Sequence, residues 1–444
     1  MQRFINSYLI QWKNDTDRKV LLLRGARQVG KTYAIRTLGK TFKNCLEVNF
    51  EENQVIHGFF RDSLDPQKIC EKLSAYFKQS IVPGETLLFF DEIQACPPAL
   101  SALRFFYEKM PLLHVVATGS LLEFALSEIP SQGVGRIHSL FMLPMNFTEF
   151  LLALGADGLV RLLDEAPLDQ PLDAAFHRQL LDHVKTFQLI GGLPEVVKTY
   201  VQHHDLLKCQ QVIDDLIILL KDDFAKYKHR SPVLRLQEVL QAIPYCTGSK
   251  FKYSNVDTTA AAASIKAALE LLLRAGLAYK VFHTAAQGIP LGAQINPNKF
   301  KVILFDAGIQ QRLLGLDLSA YVAADEFSVI NKGSLAEAFV GISIIGHGSP
   351  TQPPQLYYWH RESKSSNAEV DYVWQKNERI IPIEVKAGTK GQMQSLRWFM
   401  QERNLIHGVR ISLENFSHYE MPAQPRCHQI QVLPLYAVSK LLQL

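Results

Sequence analysis

The sequence has no C-x-x-C pair, no H-E-x-x-H and no G-x-S-x-G. Its six cysteines (Cys45, Cys70, Cys96, Cys209, Cys246, Cys427) are scattered singly along 444 residues, which excludes a zinc ribbon and argues against a disulfide scaffold. No covalent nucleophile is assigned, and the 14 histidines show no metal-ligand spacing. Long apolar runs are also missing. The longest aliphatic run is Leu216–Leu220, far short of the about 20 residues a membrane span needs. The segment Met1–Lys13 is amphipathic and lacks a small-residue cleavage site, so it does not read as a signal peptide. A cytoplasmic protein with no membrane partner is therefore expected. Excess charge is absent too: a net charge of +4 does not imply nucleic-acid binding by the whole chain, although a local basic face stays open.

What is present is ordinary globular composition, with 47% hydrophobic and 20% charged residues, enough for about three domains. Apolar runs at Val20–Leu23, Cys45–Phe50, Leu87–Phe90, His114–Thr118 and Ile137–Leu143 read as strands. Helical patterns lie between them, as in a doubly wound α/β domain. From Phe147 to Tyr227 the spacing is helical, with an acidic, proline-bearing loop at Asp164–Asp173. A last mixed region holds a helix at Ser334–Ile345 and strands at Leu356–His360, Glu369–Trp374 and Ile380–Lys386.

Gly25-Ala26-Arg27-Gln28-Val29-Gly30-Lys31-Thr32 satisfies G-x-x-x-x-G-K-[ST] between a strand and a helix. Glycines let the backbone curl so that successive N–H groups face a phosphate. Lys31 reaches the β/γ oxygens and the Thr32 hydroxyl can ligate Mg²⁺. Asp91, ending the run LLFF, suits the same Mg²⁺, and Glu92 beside it is placed to polarise a water. ATP and Mg²⁺ are the expected ligands. Ser120, after the strand HVVAT, has two readings: it orients a water near the γ-phosphate, or it caps a helix with Glu123 completing the box. Arg136 is either an arginine finger offered to a neighbouring subunit of a homo-oligomer or a solvated loop residue.

GARQVGKT, FFDEIQ, VVATGSLL and GVGRIHSLFMLPMNFTEF together resemble the AAA-type ATPase domain of a widespread group of prokaryotic ATP-binding proteins. The segment Gly191–Glu195 is similar to the G-x-P element of STAND and archaeal-type ATPases, with Gly192 and Pro194 matching. That implies Pro194 packs beside a nucleotide base; the plain alternative is a helix-breaking turn. The resemblance spans nearly the whole chain and implies a C-terminal domain similar to the PD-(D/E)xK nuclease-like fold. The expected layout is a P-loop AAA-type core at 1–150, a helical lid at 151–225, a winged-helix-like segment at 226–325 and a nuclease-like α/β domain at 326–444.

Within that last domain, Glu384 and Lys386 share one face of a strand, and Asp371 on a neighbouring strand can meet them. Asp371 and Glu384 would hold a divalent metal, Lys386 would orient a water, and Glu337 fits the extra acidic position the resemblance implies. Val370 replaces the proline usual before the Asp. The plain alternative is an exposed hairpin with charge alternation. Lys250–His283 resembles a winged helix, but its helix offers mainly Lys266 to DNA, so a packing or partner face competes with base reading. Three functions follow as expectations: an ATP-hydrolysing switch coupled to the C-terminal module, an ATP-regulated metal-dependent nuclease acting on DNA or RNA, and a DNA-binding regulator.

Overall fold

A strand apolar on both faces is stable only between two covering layers. The computed structural model describes residues 1–119, 122, 135–227, 229–318, 333–361, 368–389, 391, 393–423 and 427–444. In it Val20–Arg24 (β1), Asn44–Asn49 (β2), Thr86–Asp91 (β3), His114–Thr118 (β4) and Ile137–Phe141 (β5) form one sheet ordered β2-β3-β4-β1-β5. Every pairing in it is parallel. The chain therefore crosses over to insert β1 between β4 and β5. Register places Leu23 beside Thr118 and Phe90 beside Ala117, so the carboxyl ends of β1, β3 and β4 adjoin. Ligands of open α/β sheets bind outside such strand ends.

This sheet belongs to a unit made of Met1–Leu143, Arg274–Gly276 and Ser349–Pro353. Its core under Asp91 is aromatic. Phe90 meets Phe50 (5.6 Å), Phe60 (5.6 Å) and Phe106 (5.8 Å) edge to face, all of them buried. Truncating such a ring costs about 3–5 kcal/mol, so the residue before Asp91 is held hard in place. The helix Ile5–Asn14 packs Ile5, Leu9 and Trp12 inward.

The second unit comprises Pro144–Leu273, Leu277–Gly348 and Pro354–Leu444. Its first part is helical, as expected. The helix Asp157–Glu165 runs into the start of the expected loop because Leu159, Val160 and Leu163 are buried along one face. Two mixed sheets follow. Ala278–Thr284 (β6), Ile295–Leu304 (β7), Leu356–His360 (β8) and Glu369–Val370 (β9) pair in the order β7-β6-β8-β9. The β6–β7 hairpin is thus built into a sheet through parallel pairing of β6 with β8. Tyr372–Lys376 (β10), Arg379–Val385 (β11), His407–Ser412 (β12), Ser417–Met421 (β13) and His428–Pro434 (β14) form the sheet β10-β11-β12-β14-β13.

The single strand expected at Glu369–Trp374 is two strands in two sheets. β9 pairs with β8 and β10 with β11, and the chain changes sheet at Asp371. The Asp371 carboxylate accepts the Val385 N–H at 2.8 Å, which secures the bend. Among the described residues no helix is long and apolar enough to cross a membrane.

Candidate functional site

The glycine-rich loop leaves β1 and enters the helix Lys31–Gly39. Gly25 has φ +146°, and a Cβ there would lie 2.1 Å from the Met142 carbonyl oxygen, so only glycine fits. Gly30 caps the helix with φ +96°, and Gln28 is also left-handed at φ +63°. The curl is braced from the N-terminus: the buried Arg3 guanidinium donates to the Val29 carbonyl at 2.9 Å and to the Leu143 carbonyl at 2.7 Å. The positive end of the helix faces the loop, as suits an anion. Lys31 is buried, and its ammonium donates to the carbonyls of Gly25 (2.9 Å) and Ala26 (2.8 Å). Burial lowers its pKa to about 8, with Glu92 and Asp91 opposing. At neutral pH it remains largely cationic.

Opposite Lys31 stand the two acids. Thr32 Oγ1 donates to Asp91 Oδ2 at 2.9 Å. Asp91 Oδ1 accepts from Thr118 Oγ1 and from the Glu92 N–H (3.1 Å). A hydroxyl and a carboxylate in contact are hard oxygen donors, so Thr32 and Asp91 fit the Mg²⁺ expected there. Glu92 is left-handed (φ 49°), which turns the chain sharply off β3 into the short turn Ile93–Ala95. Gln94 Nε2 then donates back to Glu92 Oε2 at 2.5 Å.

Sequence alone points to Ser120 at the end of β4. Ser120 and Glu123 lie outside the described residues. At the end of β4, among the described residues, Thr118 reaches Asp91 through its hydroxyl. Arg136 precedes β5, and Ile137 pairs with Val20 at the amino end of β1, away from the glycine-rich loop. Its guanidinium pairs with Glu108 Oε1 at 3.1 Å. Pro194 belongs to the second unit and opens the helix Pro194–His203. The glycines before it answer close packing: a Cβ on Gly192 would lie 2.0 Å from the Met145 carbonyl oxygen. Gly192 N–H donates to the buried Asp306 carboxylate at 2.7 Å, and Asp306 also caps the helix Ala307–Leu313 through the Ile309 N–H at 3.0 Å. Burial raises the Asp306 pKa to about 6 against those donors.

The C-terminal acids do gather, but around lysines. Lys301 on β7, which sequence alone does not single out, is 1% exposed. Its ammonium donates to Glu337 Oε1 at 2.7 Å and pairs with Glu369. Lys386 Nζ lies 2.5 Å from Glu384 Oε1. Burial, with Asp371 adding to it, raises Glu337 to about 8 and Glu384 to about 7, while Lys301 and Lys386 respectively oppose the rise. Burial also raises Asp371. Of the expected metal pair, Asp371 and Glu384, the second keeps a buried Oε2 without a hydrogen-bond partner among the described residues. Among the described residues no group of three or more His, Cys, Asp or Glu side chains could hold a metal ion. Asp371 Oδ2 is engaged by the Val385 N–H, and the cation set among Glu337 and Glu369 is the Lys301 ammonium.

Residues 17–151 match the AAA domain family. Residues 181–320 match a domain of unknown function, DUF8612, and 332–438 match another, DUF4143. The first unit thus carries an AAA-type P-loop ATPase core. No curated protein matches the chain. Among solved structures it is similar to a Walker-type ATPase of Pyrococcus abyssi, at 18% identity over 70% of this chain and 95% of that one, with a TM-score of 0.45. It is also similar to the ORC2 protein of Aeropyrum pernix in ADPNP–ADP complexes, at 12% identity over 73% of this chain and 96% of that one, with a TM-score of 0.37.

Proposed function

We propose that the protein binds Mg²⁺-ATP in the loop Gly25–Thr32 and hydrolyses it to ADP and phosphate. The observation that carries this is the contact of Thr32 with Asp91, beside the buried Lys31 and directly before Glu92. The loop N–H groups and the Lys31 ammonium bind the β- and γ-phosphate oxygens. Thr32 and Asp91 would hold Mg²⁺, which would supply charge neutralisation to the phosphates. Thr118 and the Glu92 N–H fix the Asp91 carboxylate, so it does not swing on loading. The Glu92 carboxylate accepts a hydrogen bond from the attacking water and draws off its proton. General-base assistance of this kind is worth roughly 10²–10⁴ in rate.

Glu92→Gln tests the assignment, because the amide keeps the shape and loses the base. Calorimetry should show ATP affinity within about threefold of wild type, while phosphate release falls by at least about 10²-fold. Turnover that survives the change removes Glu92 from the mechanism. A wild type that gives no heat with ATP removes the whole reading. The proposal extends to a nucleotide state felt by the second unit, supported by the order of domains along the chain; a proteolytic pattern of the C-terminal half identical under ATP and ADP ends that part. Nuclease activity is not assigned to the C-terminal cluster, whose residues match only a domain of unknown function.

A further inference from the structure

The amide of Gln94 is held on two sides. Its nitrogen donates to Glu92 Oε2 at 2.5 Å, and this fixes the orientation, because only the nitrogen can donate to a carboxylate. The oxygen then points the other way, is buried, and has no hydrogen-bond partner among the described residues. It lies against Gly119, where a Cβ would sit 2.0 Å from it and 3.0 Å from Leu122 Cγ. Gly119 directly follows Thr118, which bonds Asp91. The carboxyl end of β4 therefore touches both acids: Asp91 through the Thr118 hydroxyl, and Glu92 through the Gln94 amide.

We propose that Gln94 is a positioning residue for hydrolysis, wedged between Gly119 and Glu92, so that the end of β4 sets the aim of the water-polarising carboxylate. A buried amide oxygen without a partner is unfavourable by itself. It is tolerated here because the other end of the same amide meets a charge at short range. The missing side chain at Gly119 is what makes room for it. Backbone freedom does not explain that glycine, since its φ lies outside the left-handed range; space does. The inference rests on the hydrolytic reading above and adds a residue that acts only through Glu92.

Turnover and ATP binding of the full chain decide it, measured for wild type, Gln94→Ala, Gln94→Met, Gly119→Ala and Gln94→Ala/Gly119→Ala. Gln94→Met keeps the length and loses the donor. A misaimed catalytic group costs up to about 10²-fold in rate, so Gln94→Ala and Gln94→Met should each lower kcat by roughly 10–100-fold. KM and the calorimetric ATP affinity should stay within about twofold, which also shows that the variants are folded. Gly119→Ala places a methyl group in the space of the amide oxygen and should lower kcat similarly. The double variant should lose no more than either single one, because both changes break the same contact. A kcat that is unchanged or raised in Gln94→Ala overturns the inference, as does a double variant whose losses multiply, or a change confined to KM. In each of those cases an active wild type leaves the hydrolytic reading standing. A wild type that binds ATP without turning it over removes that reading and this inference together.

Discussion

Lys31 and Lys301 are both buried lysines among acids, yet their surroundings act on them in opposite directions. Burial lowers Lys31 to about 8, and its ammonium rests on two backbone carbonyls that carry no net charge. Burial also pulls on Lys301, but Glu337, Glu369 and Asp371 outweigh it and hold the ammonium above the ordinary lysine range. The first cation keeps an unneutralised field for an arriving phosphate. The second is already neutralised by the fold. A lysine beside carboxylates in a sequence therefore reads as a site in one case and as a counter-ion in the other. The deciding variable is which acceptors the ammonium meets.

The largest effect that tests this contrast comes from Lys31→Ala. It should reduce ATP affinity and turnover below detection in calorimetry and phosphate release; surviving turnover would make Lys31 no different in kind from Lys301. Next is Lys301→Met, which leaves buried carboxylates without their cation. It should destabilise the second unit by about 3–5 kcal/mol. Urea unfolding followed by the fluorescence of Trp359, Trp374 and Trp398 reads this, and adding Glu337→Gln should recover part of the loss.

A smaller effect is set by pH. Burial raises the folded-state pKa of Glu337 while the Lys301 ammonium opposes the rise, so as pH climbs above the ordinary glutamate range the folded state binds more protons than the unfolded one. Stability from this group is present at low pH and is lost as pH rises through that raised pKa. The urea midpoint should fall from pH 5 to pH 8, and Glu337→Gln should flatten the slope; an equal slope in the variant would place the titration elsewhere. The smallest expected effect is none. Mn²⁺ titrated without nucleotide should give the same heat with wild type and Asp371→Asn, and neither should cut DNA or RNA. A metal-dependent cut that Asp371→Asn removes would break the comparison and restore the nuclease expectation.

Much of the first unit was legible in the residues. β1, β3 and β4 are apolar on both faces, so their burial between layers follows from composition alone. The phosphate loop is a contiguous motif with its helix attached, and Asp91 is marked by the apolar run it ends. Gln94 was not legible in this way, and the segment Thr118–Ser120 was legible as a polar strand end without marking Thr118 within it. Their roles depend on β4 lying beside β3, and no local pattern announces which hydroxyl or amide will face the acids. In the second unit the acids and Lys386 were visible, but Lys301 was not. It lies between Phe300 and Val302 in the buried half of β7, where a charged residue looks like an interruption of a strand. The break at Asp371 was hidden for a related reason: an alternating run looks the same whether it pairs in one sheet or two.

By itself the sequence determined the elements whose physics is local. These are the curled glycine loop, the helix it starts, the apolar strands and the acid that follows one of them. Tertiary structure alone decided which cation meets the carboxylates of distant elements. An ammonium reaches only a few ångströms, so its partner is chosen by how distant strands pack, as when Lys301 of β7 meets Glu337 on the helix Gly333–Gly346 and Glu369 of β9.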